Sequence, residues 1–148
     1  MPDPLHPAVV HFPVVLLLLG CPLAVLAILM PRLAPLAAAV LFLGALGSLV
    51  AVQTGETEKR DEIAVPEGKG REVLSAHKHA GESARNAALA AAACSIGAAV
   101  ARKCSRKRIF FGLAALAAAG SILAAWQVVS AGKTGGELVY HHGVGLRF

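Results

Sequence analysis

Charge is the first thing this sequence lacks. Only 16% of its 148 residues are Asp, Glu, Lys or Arg, against about a quarter in an ordinary soluble domain. A surface so poor in charge excludes a well-solvated globular domain of this size. Aromatic residues are also few, at 5%. None interleaves the basic cluster Arg102, Lys103, Arg106, Lys107 and Arg108, so the net charge of +5 does not carry the base-stacking pattern of a nucleic-acid binder. There are three cysteines and no C-x-x-C-H motif. This excludes c-type haem attachment and argues against a disulfide framework. Cys21 and Cys94 fall in apolar segments and read as small hydrophobes. No nucleophile with a positioned base and no phosphate-binding loop is present, which sets aside hydrolase and ATPase chemistry. The first apolar segment lacks a basic leading region and is long enough to span a membrane, so it is expected to be retained rather than cleaved.

What remains is apolar. Hydrophobic residues make up 56% of the chain, and the mean hydropathy is +0.64. The length allows one small domain. The pattern predicts an all-α integral membrane protein, a four-transmembrane-helix bundle with spans at about 9–30, 33–54, 80–101 and 109–131. Each is long enough for about 30 Å of hydrocarbon. The third is the weakest, because only 86–101 is uncharged and Glu82 and Arg85 must enter the outer leaflet. The competing reading is three spans with this segment on the surface. An outer loop at 55–78, a basic inner loop at 102–108 and a Gly-rich outer tail at 132–148 complete the single domain.

Small residues suggest how the spans pack. Ala117, Ser121 and Ala125 recur every four residues, flanked by Gly120 and Ala124. Gly44 with Ser48, and Ala93 with Gly97, repeat the spacing in the second and third spans. Small side chains let helix backbones approach in lipid. The Ala-rich third span is expected to be central.

The six histidines are the informative residues: His6, His11, His77, His79, His141 and His142. They flank the outer ends of the first, third and fourth spans, so all six lie at one membrane face. Imidazole serves as metal ligand, proton carrier or polar cap. Two histidines from different helices could hold haem b. Three or four clustered tightly could hold zinc or copper. The plain alternative is that they cap helix ends at headgroup level. Glu82, Arg85 and Asn86 lie near the same face, and ionisable groups in a span mostly face a site or a partner. Arg85 could pair with a propionate or reach lipid phosphate. Gln53, Thr54 and Glu56 end the second span there too, and such a cluster could also take a quinol headgroup.

The opening Leu5-His6-Pro7-Ala8-Val9-Val10-His11-Phe12-Pro13 resembles the H-P-x-x-V-H-F-P start of DUF2231, a family of bacterial membrane proteins of unknown function. Thr54-Gly55 and His77-Lys78-His79-Ala80-Gly81 are similar to its middle motifs. The stretch from Gly135 to Gly145 is similar to its G-G-x-L-V-Y-x-H-G-V-G ending. The resemblance implies four membrane helices. It matches His6, His11, His77 and His142 to family histidines, with His79 and His141 at variable positions. Relatives joined to c-type cytochrome domains imply electron transfer with a separate redox partner.

Together these features lead to one expectation. The chain is a haem b electron-transfer or anchor subunit rather than a stand-alone enzyme. Its site lies at the outer face, with quinone or a larger membrane complex as partner. His11 with His77 is the first expected ligand pair and His6 with His142 the second, and Glu82 and Arg85 tune the potential or bind propionates. The alternatives are a non-catalytic docking subunit and a divalent-metal site. Four spans without an obvious mid-membrane polar site weigh against a transporter. Pro13 is expected to loosen the first helix and aim His11 inward; the tail is expected to fold over the bundle mouth and deliver His142, the alternative being a flexible terminus.

The dense basic loop at 102–108 places that end in the cytoplasm and both termini in the periplasm, across a bacterial inner membrane. With Cys21 and Cys94 replaced by Ser, a membrane-impermeant maleimide is expected to label Cys104 in inside-out vesicles and not in intact spheroplasts. The opposite pattern would invert the topology.

Overall fold

The computed structural model describes residues 6–61 and 68–143. Among these every regular element is helical: α1 (His6–Val9), α2 (His11–Leu29), a 3₁₀ turn (Pro31–Leu33), α3 (Ala34–Asp61), α4 (Lys69–Lys103) and α5 (Lys107–His142). Four of these helices are long and apolar enough to cross a membrane, the third span among them.

The breaks follow from backbone chemistry. Pro13 has no N–H to give the Val9 carbonyl, so the ladder lapses between α1 and α2. It resumes on either side, with Val10 N–H bonded to His6 O (3.1 Å) and Val14 N–H to Val10 O (3.2 Å). The chain leaves α2 at Met30 (φ −125°, ψ 80°), as a residue before proline favours. Pro31 then opens the 3₁₀ turn, where its missing donor costs nothing. α4 ends in a Schellman turn. Arg106 N–H bonds to Ala101 O (2.9 Å) and Ser105 N–H to Arg102 O (3.1 Å), with Ser105 left-handed at φ 57° where glycine is usual.

The helices form a ring in which α2 packs on α3, α3 on α4, α4 on α5 and α5 on α2. The interior is alanine-rich: Ala88, Ala91, Ala34, Ala37 and Ala124 are essentially sealed, with Leu17 and Leu41. Leu19, Leu29, Leu116, Ile122 and Val129 point outward. Lipid tails solvate leucine as well as a protein core would, so the interior favours small residues that allow close packing. Buried Ser48 and Ser121 give their hydroxyls to Ala45 O (2.7 Å) and Ala118 O (2.8 Å) of their own helices, so neither leaves an unpaired polar atom.

Ala117, Ser121, Ala124, Gly44 and Ser48 lie inside, as their spacing suggests. The third span differs. Ala93 is exposed, and the packed face of α4 runs through Ala84, Ala88, Ala91, Ser95 and Ala98. Alanine on every side of this helix leaves its phase to its neighbours.

Glycine sets the contact within each hairpin. A Cβ on Gly44 would stand 2.9 Å from Leu17 Cδ2, and one on Gly47 3.2 Å from Pro13 Cβ. On the other hairpin, a Cβ on Gly120 would stand 3.2 Å from Ala91 Cβ and 3.4 Å from its Cα, and one on Gly97 3.0 Å from Leu113 Cδ1. Each set of rungs defines a single antiparallel register that continues outward.

α4 and α5 have 35 and 36 residues, or roughly 50 Å each, well beyond the hydrocarbon thickness. The surplus changes two expectations. The connection between the second and third spans narrows, because α3 reaches Asp61 and α4 begins at Lys69. Residues 132–142 are not a tail folded over the mouth. They continue α5, with Leu138 buried. Glycine is a poor helix former in isolation, but here packing against the extension of α4 holds the helical path. The rest of the expected tail, 144–148, lies outside the described residues.

Gly120→Leu is expected to cost about 1–3 kcal/mol, because the new side chain meets the α4 backbone. Gly112, with nothing within 4 Å of its would-be Cβ, is the control, and Gly112→Leu should not destabilise. Reversible unfolding in mixed micelles reads both. Equal effects would refute the close α4–α5 contact.

Candidate functional site

The register of each hairpin delivers one imidazole to the end of the bundle opposite the basic turn at 102–108. Beyond the Leu17–Gly44 and Pro13–Gly47 rungs, α1 brings His6 over Gly55 of α3. A Cβ there would stand 3.0 Å from His6 Cε1. Beyond the Leu113–Gly97 and Ala91–Gly120 rungs, α4 brings His77 over Gly135 of α5, where a Cβ would again stand 3.0 Å from the ring Cε1. A larger residue at either glycine would push the ring away.

The two rings then meet across the seam between the hairpins. Their centres are 6.3 Å apart and their planes are perpendicular, at 89°. Both are half-buried. His77 Nδ1 lies 2.9 Å from the carbonyl oxygen of Ala131. A carbonyl only accepts, so Nδ1 carries the hydrogen and donates it. Thr134 Oγ1 stands 3.4 Å from the same nitrogen and donates its own hydrogen to Ser130 O at 3.0 Å. His6 Nδ1 lies 3.3 Å from Thr54 Oγ1, and that hydroxyl donates to Ala51 O at 3.0 Å. In its neutral form His77 therefore presents an Nε2 lone pair. This is the tautomer of a metal-ligating histidine whose other nitrogen is held by a backbone carbonyl.

The remaining expected residues are placed differently. His11 is exposed. It continues the stripe Val15, Leu18, Val25 and Leu29, all exposed, and so lies on the outside of the bundle. The ring that meets His77 is thus His6, in place of the expected His11. The reason is helical phase: five residues on from His6 the chain has turned by about 140°, and the lapse at Pro13 does not reverse it. His142 is half-buried on the face of Gly135, seven residues and about 10 Å further out, so the expected His6–His142 pairing is not the contact His6 makes. His79 and His141 are exposed. Arg85 bonds Asn86 Oδ1 through Nε (3.2 Å) and Nη2 (3.1 Å). Glu82 is exposed, five residues and about 140° around α4 from His77. Among the described residues no three His, Cys, Asp or Glu side chains are grouped.

Sequence reasoning passed over Thr134 and Ala131 as site residues, took Gly135 only as part of the closing motif and tail, and took Thr54 as part of a polar cluster suited to a quinol headgroup. A signal for them was present: both outward-running helices carry the dipeptide Thr-Gly, at 54–55 and 134–135.

The His6–His77 contact is checked by a double-mutant cycle. Alanine at both positions should reveal a coupling of about 0.5–1 kcal/mol in unfolding free energy, and the His11–His77 cycle should be additive. The reverse result would restore the His11 pairing.

Among protein-family models, the one described as a predicted membrane protein, DUF2231, matches residues 2–147. No curated protein matches the chain, and no solved structure does. The matched stretch takes in both hairpins and every residue of the site, and the chain belongs to the DUF2231 family of predicted membrane proteins.

Proposed function

We propose that His6 and His77 would hold a haem b at the outer mouth of the bundle, and that the protein is an electron-transfer or anchor subunit of the bacterial inner membrane. In this reading both termini are periplasmic, and the exchange partner is quinone or a redox protein at that face. The observation that carries it is the ring pair. The two rings come from different helices with their centres 6.3 Å apart, and two such imidazoles are the protein ligands that a haem iron would take.

The donor set fits the group. Iron in a macrocycle takes four ligands from the ring and needs two from the protein, and the contact supplies two imidazoles. Zinc would need three or four protein ligands, more than the described residues group together. The bound group would supply one-electron chemistry at a potential set by its ligands and surroundings.

The chain's own residues do the holding. The Ala131 carbonyl fixes the orientation of His77 and raises its basicity. Gly55 and Gly135 let the rings lie close to the helix backbones. The alanine-rich interior below the site keeps water out and strengthens charge interactions at the mouth. Glu82 and Arg85 lie further along α4, and in this reading they alter the local potential without touching the rings.

A dithionite-reduced minus oxidised spectrum of protein grown with ample haem tests the reading. A b-type α band is expected in the wild type and in His11→Ala, with most of it lost in His6→Ala and in His77→Ala. No band in the wild type would sink the proposal and favour a docking subunit, for which the projecting ends of α4 and α5 offer the surface.

A further inference from the structure

The end of the bundle opposite the ring pair is purely basic. The turn between α2 and α3 brings Arg32, and the turn between α4 and α5 brings Arg102, Lys103, Arg106, Lys107 and Arg108. The two turns lie at the same end, since Ala34, Ala101 and Phe110 beside them belong to one packed cluster. All six cations are exposed. No Asp or Glu occurs within residues 12–55 or 83–136. Along α4 the nearest carboxylate is Glu82, twenty residues before Arg102. That is roughly 30 Å away, several Debye lengths at physiological ionic strength, and too far to neutralise the cluster.

Three of the cations are also poorly placed within their own helix. Arg106, Lys107 and Arg108 stand at the start of α5, which has no acidic residue in its first turn and no side-chain cap. A helix begins at the positive end of its dipole, where a cation is unfavourable. Arg102 and Lys103, in the last turn of α4, are at the favourable end. Neutralising the other three takes anions from outside the chain.

The residues next to the cations are apolar. Val100 on α4, Ile109 and Phe111 on α5, and Leu29 and Leu36 on either side of Arg32 are all exposed. Each lies within about one helical turn of a cation. One surface therefore carries positive charge at its tip and exposed apolar side chains just inward of it. A phospholipid has the same order of parts, a phosphate above two acyl chains.

From this we infer that the basic end binds anionic phospholipid headgroups, so that the chain selects such lipids from the leaflet around it. Arg offers phosphate a planar pair of donors and Lys a point charge, and clusters of about four to eight such residues beside a membrane helix attract anionic lipid. A soluble acidic protein would match the cations but leave the apolar rim unused. That rim continues into the outward-facing leucines of the bundle. The binding holds for either orientation in the bilayer and does not involve the ring pair.

The measurement is electron paramagnetic resonance of spin-labelled lipid in phosphatidylcholine vesicles that hold the full-length chain. Phosphatidylglycerol and phosphatidylcholine with the same labelled acyl chain are compared by the fraction of each immobilised at the protein. A cation near the surface favours an anionic lipid by roughly fivefold, and the reading averages over the whole lipid shell. The wild type is therefore expected to prefer phosphatidylglycerol about two- to fivefold, less so at high salt. Arg106→Gln, Lys107→Gln and Arg108→Gln combined should lose most of the preference. Lys69→Gln, Arg71→Gln and Lys133→Gln combined, three cations of the other end, should keep it. All six of these side chains are exposed, so circular dichroism should show the same helix content throughout. Equal association of the two lipids with the wild type would overturn the inference and leave the cations to an acidic soluble protein. A preference that survives in the first variant, or is lost equally in the second, would overturn it too.

Discussion

In hydrocarbon a leucine gains nothing by being hidden, so this bundle depends on how closely its backbones approach one another. The approach is made at a few glycines and many alanines. Gly44 and Gly47 admit Leu17 and Pro13 of the neighbouring helix, and Gly120 admits the α4 backbone at Ala91. Dispersion between atoms at short range, summed along the seam, stands in for the hydrophobic force of a soluble core. The buried serines keep the seam tight because their own helices satisfy them. The large apolar residues turn outward, where lipid is their solvent.

The same contact governs the site. A helix that slipped by one residue against its partner would rotate by about 100° and carry its imidazole off the glycine beneath it. The rungs deep in each hairpin, together with the short turns at Pro31 and Ser105, therefore decide whether a histidine at the far end lands over Gly55 or Gly135. Once seated, His77 finds an acceptor already oriented by its helix neighbour, the Ala131 carbonyl, and His6 stands beside the Thr54 hydroxyl. Packing in the membrane and hydrogen bonding at the mouth are two parts of one geometry, repeated in two hairpins.

Much of the fold was legible because its physical signals are local. Uncharged stretches of span length, the basic cluster between the last two, and the opening and closing motifs needed no partner to be recognised. The third span was legible despite Glu82 and Arg85, since its lower half is apolar all round. The ends of the helices were less so. Glycines at 132, 135 and 136 read as a tail because glycine disfavours a helix in isolation, yet contact with α4 keeps them helical. The packed face of α4 was equally hidden, since an alanine helix shows no preferred side.

The site divided along the same line. That histidine gathers at one face could be read from the chain, because it follows from counting spans. Which histidines meet could not, because His6 and His77 are distant in sequence and their contact depends on the rotation of two helices about their axes. His11, five residues from His6, differs from it mainly in helical phase, and that difference turns it to the outside of the bundle. The sequence by itself determined a four-helix membrane bundle with imidazoles at one end, since hydropathy and spacing act residue by residue. Only the tertiary structure decided the His6–His77 pair and its threonine and glycine seats, since those depend on close approach between segments that no local pattern encodes.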